Sequence, residues 1–176
     1  MITYREASKD EAKIIAQLHT KSWQQHYRGI LHDTYLDQNV YADRLQVWQQ
    51  RFQHPKETQH IIVATDAEEV CGFACTYAKD DNQYGALLDN LHVLPNWQGR
   101  SVGRKLMQLT AQWVHQYNTT SGLYLWVYEE NIPARAFYER MGGTVAEKSI
   151  VENPGGGTAS VLRIIWPDPS VILPSE

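Results

Sequence analysis

Cysteine and long apolar runs are both scarce in this sequence of 176 residues. Its two cysteines, Cys71 and Cys75, are four residues apart in a stretch that is predicted to be one strand. Four strand residues span about 13 Å, which is too far for a disulfide bond. With no disulfide and no apolar signal-peptide core near Met1, we expect a cytoplasmic protein. No apolar run approaches the length of a membrane span, so no membrane association is expected.

Positive charge is not in excess either, because the formal net charge is −4 at pH 7. A chain with this balance is not expected to bind nucleic acid through a basic surface. Its seven histidines are scattered without the spacing of metal ligands, so no metal is expected. The length fits one domain with a sizeable core, which we place at residues 1–167, followed by an irregular tail at 168–176.

Hydrophobic periodicity predicts helices and strands throughout this domain. A capping box at 8–11 precedes a first helix with Ile14, Ile15 and Leu18 on its apolar face, and Pro55 ends a second helical stretch. The predicted order is strand, two helices, three strands, helix, strand, helix and two strands. The strands are expected at 2–6, 61–64, 70–77, 86–93, 123–128, 144–151 and 160–166. This order predicts an α/β fold around one mixed sheet.

One segment joins a strand to a helix through glycine and arginine residues. The strand ends at Leu91–Val93, and an amphipathic helix begins about ten residues later. Such a helix start presents unpaired backbone N–H groups and the positive end of the helix dipole to an anion. Gly99 and Gly103 allow a ligand close to the backbone, while Arg100 and Arg104 add charge. A phosphate or pyrophosphate site is predicted, but the glycine spacing argues against a Walker loop and excludes a dinucleotide fingerprint.

Two segments resemble the GNAT superfamily of acyl-CoA-dependent N-acyltransferases. The family pattern Gln/Arg-x-x-Gly-x-Gly/Ala is similar to Gln98–Gly103, with Ser101 in place of the first glycine. The family segment Asn-x-x-Ala-x-x-Phe-Tyr-x-x-x-Gly-Phe is similar to Asn131–Gly143, with Gly143 in place of the last phenylalanine. The resemblance implies a single-domain fold with a central mixed, mostly antiparallel twisted sheet of about seven strands, flanked by about four helices. It also implies that the fourth strand is splayed at Leu91–Val93.

The resemblance further implies acetyl-CoA as the acyl donor and direct transfer to a primary amine in a ternary complex. Tyr138 is the candidate acid for the departing thiolate, since a phenol with a reference pKa of about 10 stays protonated at neutral pH. Asp89 is the candidate base through water, with His92 or a water chain as alternatives. The residues implied to bind the cofactor are Leu91, His92, Val93, Gln98, Gly99, Arg100, Ser101, Val102, Gly103, Arg104, Asn131, Ala134 and Tyr138.

Aromatic residues of the first helical region are the candidates for binding the acceptor amine. Trp23, Tyr27 and Tyr35 could pack against an alkyl amine or hold a cation over their rings, or equally be core or dimer contacts. The region resembles a branch that includes PaiA-like polyamine acetyltransferases, which favours a polyamine. Another small amine, an aminoglycoside-like drug, an amino acid and a protein N-terminus stay open as acceptors. A non-catalytic CoA-sensing or interaction module is the alternative function, and a homodimer is also left open.

Overall fold

Seven strands form one sheet in the computed structural model, which describes residues 1–174, and their order is β1-β2-β3-β4-β5-β7-β6. Neighbouring strands are antiparallel except for β4 and β5, which are parallel. This arrangement confirms the predicted mixed, mostly antiparallel sheet. The strands are β1 (Ile2–Glu6), β2 (Gln59–Asp66), β3 (Glu69–Asp81), β4 (Gly85–Val93), β5 (Leu123–Tyr128), β6 (Thr144–Glu152) and β7 (Thr158–Trp166).

Five α-helices accompany the sheet in the described residues 1–174: α1 (Ala12–His26), α2 (Asp33–Gln38), α3 (Val40–Gln53), α4 (Val102–Tyr117) and α5 (Ile132–Arg140). The prediction of about four helices missed α2. This helix has six residues, so it is too short to show a helical repeat in the sequence. The predicted capping box is present, but it opens a 3-10 turn at Lys9–Glu11 that leads into α1.

Helices cover the two faces of the sheet unequally. On one face, Leu106 and Met107 of α4 pack with Leu125 and Ile164 of the sheet. On the other face, α1 and α3 pack on β2 and β3, where Trp48 is fully buried. Each large apolar side chain that is fully buried contributes roughly 1.5–3 kcal/mol to the transfer free energy of folding. The buried cluster under α1 and α3 contains no residue of β5, so that face of β5 is left available for a cavity.

Strands β4 and β5 separate soon after they pair. Their ladder is limited to Ala86 opposite Leu123 and Leu87 opposite Tyr124. Beyond that point β4 follows β3 and β5 follows β7. A register shift in the β3–β4 ladder also leaves Asp89 without a partner, which is a β-bulge. The predicted splay is therefore present, but it begins directly after Leu87 and not at Leu91.

The C-terminal segment was predicted to be irregular from residue 168. In the structure, Pro169–Ile172 form a 3-10 turn, and Ile172 is buried within the core cluster of α4. The last two residues of the predicted tail, 175–176, lie outside the described residues. Among residues 1–174, none of the helices combines the length and apolar character that crossing a membrane would require.

Candidate active site

A cavity of about 530 Å³ lies where β4 and β5 diverge. Its walls come from α1, β4, the loop before α4, the first turn of α4, β5 and α5. Most of the residues predicted from the sequence line it together: Trp23, Tyr27, Asp89, Leu91, His92, Val93, Gln98, Gly99, Ser101, Val102, Gly103, Arg104, Asn131, Ala134 and Tyr138. Arg100 and Tyr35 do not line it. The roles given to these residues remain predictions.

The loop before α4 has the backbone shape of an anion cradle. Gly99 and Ser101 both adopt the left-handed conformation, with φ of +74° and +62°. The serine therefore occupies a conformation that favours glycine, the residue of the family pattern at this position. Its side chain does not cap α4. The N–H groups of the first helical turn thus have no intrahelical acceptor and are free to bind an anion.

The side-chain oxygen of Asn131 caps the first turn of α5. Asn131 Oδ1 accepts a hydrogen bond from the Ala134 N–H at 3.4 Å, so Asn131 is the N-cap of α5. Its amide N–H groups remain available as donors on the cavity wall. This arrangement is compatible with the predicted role of Asn131 in binding the cofactor.

Gly143 shows why the chain departs from the family pattern at the end of α5. A Cβ atom there would lie 2.5 Å from Ile164 Cγ2 and 2.6 Å from Trp166 Cζ2. Trp166 is almost fully buried, and its indole N–H donates to the Met141 carbonyl at 2.9 Å. Trp166 and Ile164 therefore fill the space that a side chain at position 143 would need.

Tyr138 is buried on the cavity wall between aromatic rings. Its ring makes edge-on contacts with Phe137 and Trp166, with centroids 5.3 and 6.1 Å away. Burial raises the pKa of Tyr138 above its usual value of 10. The hydroxyl therefore keeps its proton at neutral pH, as an acid must before it donates.

His92 lies on the cavity wall and belongs to a network of polar groups that reaches into the core. Its Nδ1 shares a hydrogen bond of 2.8 Å with Ser22 Oγ. Its ring lies 4.5 Å from that of His19, whose Nδ1 accepts from the Trp48 indole N–H at 3.0 Å. Burial, together with the charges of His26 and Arg44, lowers the pKa of His92 to about 3. His92 is therefore neutral at pH 7.

Asp89 is held by a residue that sequence reasoning did not find. Its Oδ2 accepts a hydrogen bond from Arg51 Nη2 of α3 at 2.6 Å. The two residues are 38 positions apart, so no local pattern links them. Asp89 is thus an oriented carboxylate on the cavity wall.

Aromatic rings line the cavity on the side of α1 and β5. Trp23 lies 5.4 Å from Tyr27, which meets Tyr128 edge-on at 5.0 Å. Burial, with the neighbouring Tyr138 and Tyr128 hydroxyls, raises the pKa of Tyr27. Tyr35 lies behind these rings, in a cluster with Leu31, Leu36 and Val40 against which they pack, and its hydroxyl donates to Asp43.

Several residues of the cavity wall were missed from the sequence: Ser22, His26, Trp126, Tyr128 and Arg140. In β5 the side chain of Trp126 is exposed and that of Tyr128 is half-buried. The aromatic residues at 124, 126 and 128 alternate with aliphatic ones, and this period of two could have revealed an open aromatic face. Among residues 1–174, no three His, Cys, Asp or Glu side chains are grouped so that they could hold a metal ion.

Comparison with known proteins agrees with this geometry. Residues 15–143 match the Acetyltransferase (GNAT) family. The chain is 28% identical over 176 residues to an uncharacterized N-acetyltransferase, YuaI, of Bacillus subtilis (strain 168), covering 98% of this chain and 96% of that protein. Its structure is similar to PaiA N-acetyltransferase of Thermoplasma acidophilum in complex with coenzyme A, with a TM-score of 0.72, 17% identity and coverage of 93% and 98%. It is also similar to Arabidopsis thaliana NAA60 in complex with a bisubstrate analogue, with a TM-score of 0.71, 17% identity and coverage of 94% and 97%.

The two solved structures support the fold alone at this level of identity, whereas the family match spans both recognised segments up to Gly143. Fold, motifs and family match therefore lead to the same conclusion. The chain is a transferase enzyme that belongs to the GNAT family of acetyltransferases, whose acyl donor is acetyl-CoA.

Proposed function

We propose that this enzyme transfers an acetyl group from acetyl-CoA to a primary amine of a small molecule, with a polyamine as the favoured acceptor. The amine attacks directly while both substrates are bound. The observation that carries the proposal is the shared cavity: the α4 loop, the diverging edges of β4 and β5, Asp89 and Tyr138 all line it.

The donor half of the cavity fits the parts of coenzyme A. The first-turn N–H groups of α4 and the side chain of Arg104 suit the pyrophosphate. Beyond Leu87, the backbone of β4 has no partner strand on the β5 side. Leu91–Val93 therefore offers backbone groups to the pantetheine arm, and Asn131 offers its amide N–H groups from the opposite wall. A backbone N–H aimed at the acetyl carbonyl would also stabilise the negative charge that develops there.

Two side chains supply the proton transfers. The Tyr138 hydroxyl gives its proton to the departing thiolate, since the raised pKa keeps that hydroxyl protonated at neutral pH. Asp89 accepts a proton from the attacking amine. Its side chain is short and is hydrogen-bonded to Arg51, so the proton passes through a water molecule. His92 is the alternative acceptor, but its lowered pKa makes it a weak base.

The acceptor end favours an alkyl amine. Trp23, Tyr27, Trp126 and Tyr128 present aromatic rings to the cavity. Such rings pack against methylene groups and attract an ammonium cation over their faces. Together with the Asp89 carboxylate, they suit a chain of methylene groups that carries amines. A polyamine is a substrate of this kind.

The test combines acetyl-CoA binding by calorimetry with a thiol-release assay on a panel of amines. We expect the highest kcat/KM with a polyamine such as spermidine, compared with a monoamine, an amino acid, an aminoglycoside and a peptide with a free N-terminus. Preference for the peptide, the drug or the amino acid would replace the polyamine by that acceptor. Tight acetyl-CoA binding without transfer to any amine would support the non-catalytic CoA-sensing module instead. A cytoplasmic location and a homodimer remain predictions, and sedimentation of the purified protein tests the second.

A further inference from the structure

The bulge in β4 places two consecutive side chains on one arginine. Arg51 Nη2 donates to Asp89 Oδ2 at 2.6 Å, and Arg51 Nη1 donates to Asn90 Oδ1 at 2.6 Å. In a regular strand, consecutive side chains point to opposite faces of the sheet. The bulge at Asp89 breaks this alternation, so both side chains reach the same guanidinium. Arg51 thus binds the Asp89 carboxylate and also the neighbouring Asn90 amide, a pair that only the bulged strand places side by side.

Arg51 is itself held firmly by the core. Its guanidinium carbon lies 4.8 Å from the centroid of the Trp48 ring and 5.7 Å from that of Tyr77. Trp48 is fully buried and donates its indole N–H to His19. The side chains of Arg51 and Asp89 are 21% and 30% exposed, so water screens their ion pair only in part. A planar guanidinium can hold both partners at once, whereas a lysine ammonium offers a single point charge.

We infer that Arg51 is a positioning residue for acetyl transfer: it clamps the β4 bulge and thereby fixes the Asp89 carboxylate at the acceptor end of the cavity. The bulge lies directly after the last β4–β5 pair, at Leu87, so the same clamp holds the edge of β4 where the cavity opens. Within residues 1–174, Arg51 is the one donor that the Asp89 side chain contacts. The kinetic part of this inference rests on the proposed function.

The main test is Arg51→Met, which keeps a long side chain against Trp48 and removes both hydrogen bonds. We expect kcat to fall by about 100-fold, the loss typical of a reacting group displaced by about 1 Å. Acetyl-CoA affinity, measured by calorimetry, should stay within about two-fold, because the donor half of the cavity does not contact Arg51. Arg51→Lys should recover part of the activity because it restores one contact.

A matched control separates the loss of positioning from the general effect of removing an arginine. The matched control is Arg5→Met, which breaks an arginine–carboxylate pair with Glu11 at 2.7 and 2.9 Å on the far edge strand β1. The control should leave both kcat and the affinity for acetyl-CoA unchanged.

A double-mutant cycle with Asp89→Asn tests whether Arg51 acts through Asp89. In the Asp89→Asn background, Arg51→Met should lower kcat by much less than 100-fold, since the group it positions is already absent. Additive losses would overturn the inference, as would an equal loss of acetyl-CoA affinity. Where Arg51→Met does not fold, as judged by circular dichroism, Arg51→Leu carries the same tests, because it also removes both hydrogen bonds.

The clamp is also measurable without turnover. Hydrogen exchange at the amides of residues 88–90 should be faster in Arg51→Met than in the wild type, and unchanged in Arg5→Met. Unchanged exchange in Arg51→Met would overturn the clamp whatever the kinetics show. A wild-type enzyme that acetylates no amine, but whose exchange responds as expected, would overturn the proposed function and leave the clamp supported.

Discussion

Tyr138 differs from phenylalanine by the one hydroxyl that the proposed chemistry needs. Its ring packs against Phe137 and Trp166, and Tyr138→Phe preserves that packing. We therefore expect kcat to fall by about 10²- to 10⁴-fold, as for the loss of a general acid. Acetyl-CoA affinity should stay nearly constant. Steady-state kinetics and calorimetry measure the two quantities.

The control for this change is Tyr124→Phe. Tyr124 is also buried in the sheet, but its hydroxyl donates to Asp80 and it does not line the cavity. Its loss should leave kcat close to that of the wild type. Equal turnover of Tyr138→Phe and the wild type would remove Tyr138 as the acid.

Gly143 and Trp166 form a coupled pair at the end of α5. Gly143→Ala would place its Cβ atom within 3 Å of Trp166 and Ile164, so it should lower the free energy of unfolding by about 1–3 kcal/mol. Trp166→Phe removes Cζ2, the indole atom nearest to the new Cβ. The double variant should therefore be less destabilised than the sum of the single variants in urea unfolding. Strict additivity would show that Trp166 does not occupy the space of the missing side chain.

At the level of elements, the loop before α4 contains two residues whose substitution should change the stability of the protein in opposite directions. Gly99→Ala should destabilise the protein by about 1 kcal/mol through backbone strain alone, since nothing lies within 4 Å of the new Cβ. Ser101→Gly relieves the same kind of strain, partly offset by the entropy of glycine, and should stabilise by about 0.5–1 kcal/mol. Thermal unfolding should show the two shifts with opposite signs. Shifts of the same sign would mean that backbone strain does not dominate this loop.

The elements that the sequence predicts well are those with a strong local pattern. The bounds predicted for β1 and β5 match the structure. Patterns of buried residues were less reliable. Ile14 was placed on the apolar face of α1 but is exposed, since tertiary packing turns a neighbouring face of the helix toward the sheet. The short helix α2 gave no periodic signal.

At the level of the whole molecule, the sequence predicts most of the donor half of the site and much less of the acceptor half. The donor half consists of two contiguous segments, so its residues are already ordered along the chain. The acceptor half is assembled from α1, α3, β4 and β5, and its contacts depend on how these elements pack. The Arg51–Asp89 pair illustrates the limit, because it needs both the packing of α3 and the bulge in β4.

The buried histidines predict how stability depends on pH. Burial lowers the pKa of His19, His26, His60 and His92 in the folded protein. The unfolded chain, with an ordinary histidine pKa of about 6.5, therefore binds more protons than the folded protein below that pH. The contribution of these histidines to the free energy of unfolding is therefore fully present above pH 6.5 and decreases as the pH falls below it. With a folded pKa of about 3, His92 alone accounts for a loss of roughly 2 kcal/mol at pH 5.

Urea unfolding between pH 7.5 and 5 at constant ionic strength measures this loss. His92→Gln removes the titrating ring while keeping a polar group near Ser22. The number of protons taken up on unfolding, obtained from the slope of the free energy of unfolding against pH, should therefore decrease by about one. His115→Gln changes an exposed histidine of α4 and should leave the slope unaltered. If His92→Gln instead lowered stability equally at every pH, the histidine would contribute packing and hydrogen bonding without acting as a proton-linked group. The pH dependence would then have to come from the other buried histidines, which the same measurement on His19→Gln resolves.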